Sequence, residues 1–303
     1  MKESVVVTIG ICARNCECTI SDVVNSVISQ DFPHAKMEII FVDDGSKDKT
    51  NFLMDTFVQR NDINSKIFSH SWKGIGFSRN TVIKHSRGKY VLWVDGDMIL
   101  SKDYVRKLVD FMEKNPGVAI AKGRQELKPG ANLLSTLELL SRAASRMVDY
   151  SSEKTWNKSL GTGGSIYRTE ALKQVDYFDA NLKGYGEDQD VEVRIRAAGW
   201  KLAVINVTFQ DYERLGVTWK SLYQRYWLRG YWSHYFFHKN PSLIRHYKMI
   251  PPAAFLNGLI QAAKLFKLTH LRRVYLLSFH NFLKMFAWYI GYINSHSDSC
   301  APT

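Results

Sequence analysis

The chain has 303 residues, 45% of them apolar, with 41 Lys and Arg against 29 Asp and Glu and a formal charge of +12. That length and apolar content allow a full buried core, in one large domain or one domain plus an extension. Four cysteines, Cys12, Cys16, Cys18 and Cys300, have no paired spacings and no following Cys/His pair, which argues against a disulfide framework and a zinc site and for free thiols in a reducing compartment.

The charge is unevenly placed. Residues 214–303 carry twelve Lys or Arg and one acid, Asp298, for a net +11, and the remainder nets only +1. From Arg214 to Ser297 there is no Asp or Glu.

Met1–Val5 does not read as a signal peptide, because the apolar run it opens is short and contains Thr8 and Gly10. Residues 4–12 form a nearly continuous apolar run, as a strand buried on both faces would. Ile20, Val23, Val24, Val27 and Ile28 recur at helical spacing, predicting an amphipathic helix over 19–30. Met37–Val42 reads as a second buried strand, Phe52–Gln59 as a helix, Lys66–Ser69 as a short strand and Ser78–His85 as a helix entered from the Lys73–Gly76 turn. Tyr90–Val94 is a further buried strand and Tyr104–Met112 a helix. This alternation with short connectors argues for a doubly wound parallel sheet. Farther on, Val118–Ala121 is strand-like, Leu133–Val148 helical, Gly161–Ser165 a glycine-rich loop, Asp188–Ala198 a helix and Leu202–Val207 a strand.

Three acidic clusters fall where strand-like runs end or a helix begins, the places where an open α/β sheet presents side chains to a ligand. Asp43-Asp44-Gly45-Ser46 follows the second strand, where a carboxylate can accept from a ribose hydroxyl or a base N–H; an Asx-turn with a helix cap is the other reading. Asp95-Gly96-Asp97 follows Tyr90–Val94. Both carboxylates can face one crevice and hold Mg²⁺ or Mn²⁺ against a diphosphate leaving group; a plain turn is the alternative. Glu187-Asp188 opens a helix, either as acids complementing its dipole or as a general base for an acceptor hydroxyl.

The ordered series resembles an inverting family 2 glycosyltransferase of the GT-A fold across about residues 4–212. It comprises Val7–Asn15, Ser29-Gln30-Asp31-Phe32-Pro33, Val42–Ser46, Gly76–Asn80, Asp95-Gly96-Asp97, Gly163–Arg168 and Glu187-Asp188. The resemblance implies a GT-A-type doubly wound, mostly parallel sheet over 1–213, and the charge and aromatic content of residues 214–303 add a basic aromatic helical extension. It further implies that Asp44 reads the nucleoside base and that Cys12 and Ala13 touch it mainly through backbone. Arg79 would lie near the ribose and diphosphate, Asp95 near the ribose, and Asp97 would be the metal ligand for Mn²⁺ or Mg²⁺. Gly164 and Ser165 would line the acceptor side, and Asp188 would be the catalytic base supported by Glu187.

Two departures from the family pattern stand out. Arg14 replaces an aromatic residue before Asn15, so stacking on the base would become cation–π or a phosphate contact. No His follows the strand after Glu-Asp, where Thr208–Tyr212 offers Gln210 or Asp211 instead.

Residues 219–238 are aromatic, basic and helical in pattern; Gln224–Trp227 does not align with the motif of processive synthases. Val274–Ile293 contains His280, Asn281 and Lys284, making it a poor spanning helix but a fair interfacial one. The expectation is therefore a cytoplasmic enzyme, peripheral on the inner membrane face, docked to an anionic surface and acting on a lipid-linked or cell-surface glycan with a UDP-sugar favoured as donor. The alternatives are a helical subdomain with solvated lysines, a polyprenyl-phosphate acceptor, or a non-catalytic membrane- or nucleic-acid-binding protein on a degenerate fold. No nucleic-acid reading module accompanies the charge.

Overall fold

The structure, a computed structural model, describes residues 4–126, 132–145, 159–211, 217–241 and 250–299. It divides into two compact units: Met1–Glu126 with Asp149–Lys183 and Glu187–Tyr212, and Leu127–Val148 with Gly184–Gly186 and Glu213–Thr303.

Along the chain run β1 (Val7–Ala13), α1 (Ile20–Ile28), β2 (Met37–Asp44), α2 (Thr50–Arg60), β3 (Asn64–His70), α3 (Ile75–His85), β4 (Tyr90–Trp93), β5 (Met98–Leu100), α4 (Tyr104–Lys114) and β6 (Val118–Gln125). There follow α5 (Leu133–Ser145), β7 (Ser165–Arg168), α6 (Thr169–Gln174), α7 (Glu187–Ala197) and β8 (Lys201–Asp211). The strands form one sheet in the order β3-β2-β1-β4-β7-β6-β8-β5. The first four are mutually parallel, as are β6 and β8. β7 and β5 run against their neighbours. The result is the expected mostly parallel α/β sheet, with two reversed strands that the pattern did not announce.

The continuous apolar runs have a direct cause. In β2, Ile39 and Phe41 enter one core with α1 and α4, while Ile40 and Val42 enter another with α3 and α7. In β4, Tyr90 and Leu92 face the first core and Val91 and Trp93 the second. A strand covered on both faces keeps apolar residues at odd and even positions alike. The helix α1 buries Ile20, Val23, Val24 and Val27 completely, each worth about 1.5–3 kcal/mol relative to exposure.

The parallel register sets the site. Ala13 pairs with Asp43, and Gly10 with both Ile40 and Trp93. The carboxyl ends of β1, β2 and β4 therefore lie side by side and deliver Cys12–Asn15, Asp43-Asp44 and Asp95–Asp97 to one edge.

The second unit holds α5 with three longer helices: α8 (Trp219–Lys239), α9 (Pro251–Thr269) and α10 (Leu277–Ser299). A capping box between Thr218 and Ser221 opens α8, and prolines open α9. This unit is broader than the tail alone. Leu137 of α5 shares a small core with Ala262, Leu265, Val274 and Leu277, so α5 groups with the tail; residues 146–148 of the expected helix lie outside the described residues. Gly230 lies against the Trp288 carbonyl and Gly291 against that of Trp227, which lets α8 and α10 approach closely. Among the described residues no helix is long and apolar enough to cross a membrane.

Candidate active site

The site lies in the first unit and begins with turns. The Asp44 carboxylate accepts from the backbone N–H of Lys73 at 2.8 Å and of Gly74 at 3.2 Å, with His70 Nδ1 at 3.4 Å. It thereby fixes the entry to α3. Asp43 accepts from the Ser46 amide and hydroxyl, and the Asx-turn that the sequence left open forms at Asp48, which accepts from the Thr50 amide at 3.0 Å. Asn15, in the left-handed region at φ 54°, donates its N–H to Ser46 Oγ and accepts at its side-chain oxygen from Lys47 N. Its side chain is engaged with the β2 turn. Arg14 is exposed, with its guanidinium 5.5 Å from the Trp72 ring centroid.

Behind these turns sits a buried charged group. Arg79 Nη1 donates to Glu187 Oε1 at 2.6 Å, both side chains at most a tenth exposed. The guanidinium also lies 5.9 Å from the Trp93 ring and 5.5 Å from the Phe178 ring. Burial works against its charge, but Glu187, then Asp95, Cys12 and Asp188, hold its pKa above the ordinary value. Burial pushes the half-buried Cys12 thiol up to about 12, opposed by Arg79 and reinforced by Asp95 and Asp44. Asp95 is raised by burial, with Arg79 opposing and Asp97 and Asp211 adding. Glu187 is raised by burial and by Asp188, against the pull of Arg79. Such electrostatic coupling needs proximity, so Cys12, Asp44, Arg79, Asp95, Asp97, Glu187 and Asp188 form one neighbourhood although they come from five stretches of chain.

Gly163 forms part of its wall. A Cβ at this position would collide with the Asp95 carboxylate, so the carboxylate rests against bare backbone. Gly164, at φ 75°, and Ser165 are both buried. The Gly164 carbonyl accepts from the Tyr104 hydroxyl at 2.5 Å, and Ser165 donates its hydroxyl to the Gly161 carbonyl at 2.6 Å. Their polar groups therefore shape the loop from within, and Gly161 and Gly163 are its more accessible glycines.

Three residues here escaped the sequence reading or entered only its margin. Lys122, inside β6, donates to the carbonyls of Leu160 at 2.7 Å and Gly161 at 3.3 Å. Glu192, one turn after Asp188, accepts from the Leu160 and Gly161 amides and the Ser159 hydroxyl. A cation on the carbonyls and the Glu192 carboxyl group on the amides thus clamp the peptide from opposite sides. An added Cβ at Gly161 would lie 3.6 Å from both Asp188 Oδ2 and Lys122 Nζ, so the clamp sits beside Asp188. Asp211, opposite Met98 in the β5–β8 pair, is coupled to Asp95 and occupies the stretch that lacks a His. For Glu192 the available signal was helical spacing from Asp188; for Lys122 it was a cation directly after the apolar run Val118–Ala121.

No group of three or more His, Cys, Asp or Glu stands ready as a metal cage among the described residues. The donors nonetheless suit a hard cation. Asp97 and Asp211 both act electrostatically on Asp95, so carboxylate charge gathers near a partly buried strand edge, and oxygen ligands are what Mg²⁺ or Mn²⁺ takes.

A mostly parallel sheet with acidic clusters gathered at one edge has GT-A architecture. Residues 8–175 match the family model of glycosyl transferase family 2, and the chain belongs to that family. It is 30% identical over 196 residues to the poly(ribitol-phosphate) beta-N-acetylglucosaminyltransferase TarS of Staphylococcus aureus, covering 62% of this chain and 31% of that protein. With a poly-beta-1,6-N-acetyl-D-glucosamine synthase of Staphylococcus epidermidis it shares 23% over 226 residues, 71% of this chain and 54% of the other. The chain thus spans from just under a third to about half of these relatives' length. Among solved structures, the mannosyltransferase PcManGT from Pyrobaculum calidifontis, in complex with GDP-Man and Mn²⁺, superposes with a TM-score of 0.68 at 16% identity, covering 96% of this chain and 88% of the other. Staphylococcus aureus TarS 1-349 in complex with UDP-GlcNAc gives 0.55 at 17% identity, with 97% and 92% covered. At those identities the structures establish the fold.

Proposed function

We propose that the chain moves a sugar from a nucleotide-sugar donor, UDP-linked in preference to GDP-linked, onto a hydroxyl of a glycan acceptor, with inversion at the anomeric carbon. The observation that carries this reading is the Arg79–Glu187 pair, because it ties the strand-end acids to the helix that bears Asp188. The relatives' names support it, since they describe transfer or polymerisation of N-acetylglucosamine.

In this reading Asp44, Cys12, Ala13, Arg14 and Asn15 frame the nucleoside, partly through backbone, while Arg79 and Asp95 face ribose and diphosphate. Asp188 takes the proton of the acceptor hydroxyl as its oxygen bonds to the anomeric carbon. The bond to the diphosphate oxygen breaks in the same displacement, and the diphosphate leaves with the electron pair. Glu187 and Arg79 hold the start of α7 in place, and the Gly161–Ser165 loop forms the acceptor side. Asp97, with Asp211 in the position of the usual His, would hold Mn²⁺ or Mg²⁺, which when bound neutralises charge on the leaving diphosphate. The basic tail suits an acceptor presented at an anionic membrane on the cytoplasmic side, with residues 214–303 as the docking extension.

The test is thermal stability with UDP, GDP and CMP, each with and without Mn²⁺, on wild type and Asp97→Asn. A ligand that binds only the folded state raises the midpoint by mass action. The expected result is a manganese-dependent rise with UDP that the variant loses. Folded protein that responds to none of the three nucleotides would remove the donor-site reading.

A further inference from the structure

The second unit exposes apolar residues where its last two helices meet. The end of α9, the left-handed cap His270 at φ 55°, a short 3-10 turn Arg272–Leu276 and the start of α10 make one tight corner. Leu271, Tyr275, Leu276 and Phe279 are all exposed there, Leu271 and Phe279 by more than half. They are not loose ends. Val274 and Leu277 are fully buried beneath them, Tyr275 packs on Phe266 with ring centroids 5.7 Å apart, and Phe279 packs edge-on against Phe255 at 5.3 Å. The corner is thus a rigid apolar tip.

Four exposed cations, Lys264, Lys267, Arg272 and Arg273, lie within the same sixteen-residue stretch, 264–279. No carboxylate occurs anywhere from Arg214 to Ser297, so nothing in that part of the chain neutralises them. Beyond the corner, Leu283, Phe286 and Ile293 continue an exposed stripe along α10 at helical spacing from Phe279. Exposed apolar groups and exposed cations sharing one short stretch match the interface of an anionic bilayer, where apolar side chains enter the acyl boundary and cations meet the headgroups. A protein partner or second copy would have to supply many acids to cover the same face.

We infer that the α9–α10 corner, centred on Leu271, Arg272, Arg273, Tyr275, Leu276 and Phe279, is the element that seats this chain on an anionic lipid surface. It seats the protein without crossing, as no described helix is long and apolar enough to do so. The inference deepens the membrane part of the proposed function and replaces the diffuse expectation of an interfacial helix over Val274–Ile293 with a discrete tip.

The experiment is co-sedimentation of the full chain with phosphatidylcholine vesicles, with and without phosphatidylglycerol, at low and high salt. Wild type should bind the anionic vesicles and release with salt. Arg272→Glu with Arg273→Glu should weaken binding at least about 25-fold, at about fivefold per cation lost. Leu271→Ser with Leu276→Ser should lower binding while leaving the preference for anionic lipid. All four positions are exposed, so folding is expected to persist, and the UDP–Mn²⁺ thermal shift on the same variants reports separately on the donor site. Failure of wild type to bind anionic vesicles would overturn the inference, as would binding that neither pair alters. So would light scattering that shows a dimer dissolved by Leu271→Ser with Leu276→Ser, since the face would then be covered by a second copy.

Discussion

Arg79 and Glu187, 108 positions apart, meet through a 2.6 Å hydrogen bond between two side chains almost wholly removed from solvent. Removing one member leaves the other charge buried without its partner, which costs about 3–5 kcal/mol. Glu187→Leu and Arg79→Met should each lose stability on that scale. The double variant Arg79→Met with Glu187→Leu should lose much less than the sum, because no orphan charge remains and the space beside Trp93 and Phe178 is refilled. Urea denaturation of the four proteins closes the cycle. Additive losses would show that the pair is not coupled.

Gly163 offers a sharper probe of the strand-end acids. An alanine methyl there would overlap the Asp95 carboxylate and approach the Met98 side chain to 3.0 Å. Asp95 must then turn away or the loop must shift. Gly163→Ala should abolish most of the UDP–Mn²⁺ thermal shift while costing only about 1–3 kcal/mol of stability, as overpacking does. Calorimetric titration with UDP on the folded variant checks this, and unchanged affinity would place Asp95 outside the donor site.

The sheet was legible because its strands are covered on both faces, so their apolar runs are unbroken, and α1 because four buried residues repeat at helical spacing. The reversed strands were not. In β7 only four residues pair, and they emerge from a glycine-rich loop; β5 has three. The acidic clusters were legible as motifs, since each follows a strand or opens a helix. What the sequence could not supply was which acids are engaged locally. Asp43 and Asn15 hold one turn, and Ser165 is turned inward. The Lys122–Glu192 clamp joins β6 to α7 through a loop, and no local pattern announces a contact made by three separate stretches.

That clamp has a pH signature. Burial, reinforced by Asp188 and opposed by the loop amides, the Ser159 hydroxyl and Lys122, raises Glu192 to about 8. The folded state therefore holds a proton that the unfolded chain, with an ordinary glutamate, releases near pH 4.5. The contribution is fully present below that value and is lost as pH rises through about 8, a decline of roughly 5 kcal/mol from this group. Glu192→Gln keeps an acceptor oxygen for the loop amides but has no proton to lose. Its stability should stay flatter than that of wild type between about pH 5 and pH 8. Denaturant midpoints across that range decide the matter, and parallel curves would mean that Glu192 is ionised throughout.

The second unit should respond in the opposite direction. Glu138 on α5 is buried, with His280 2.9 Å, Lys284 2.8 Å and Arg225 3.7 Å away. Burial alone would raise its pKa, but His280 and Lys284 overrule it and hold the carboxyl far below the usual range. The same carboxylate opposes the effect of burial on His280, whose pKa is lowered. A depressed carboxyl stabilises fully above its unfolded value and loses that contribution as pH falls. Glu138→Gln removes the charge opposite Lys284 in a poorly hydrated setting and should cost about 3–5 kcal/mol near neutrality. By about pH 3 the wild-type protein has itself forfeited roughly 2 kcal/mol of this advantage, so the gap should narrow by that amount. Denaturation of both proteins at the two pH values measures it. A gap that stays constant would show that the carboxylate's charge does not hold the helices together, and that its role is confined to packing beside His280.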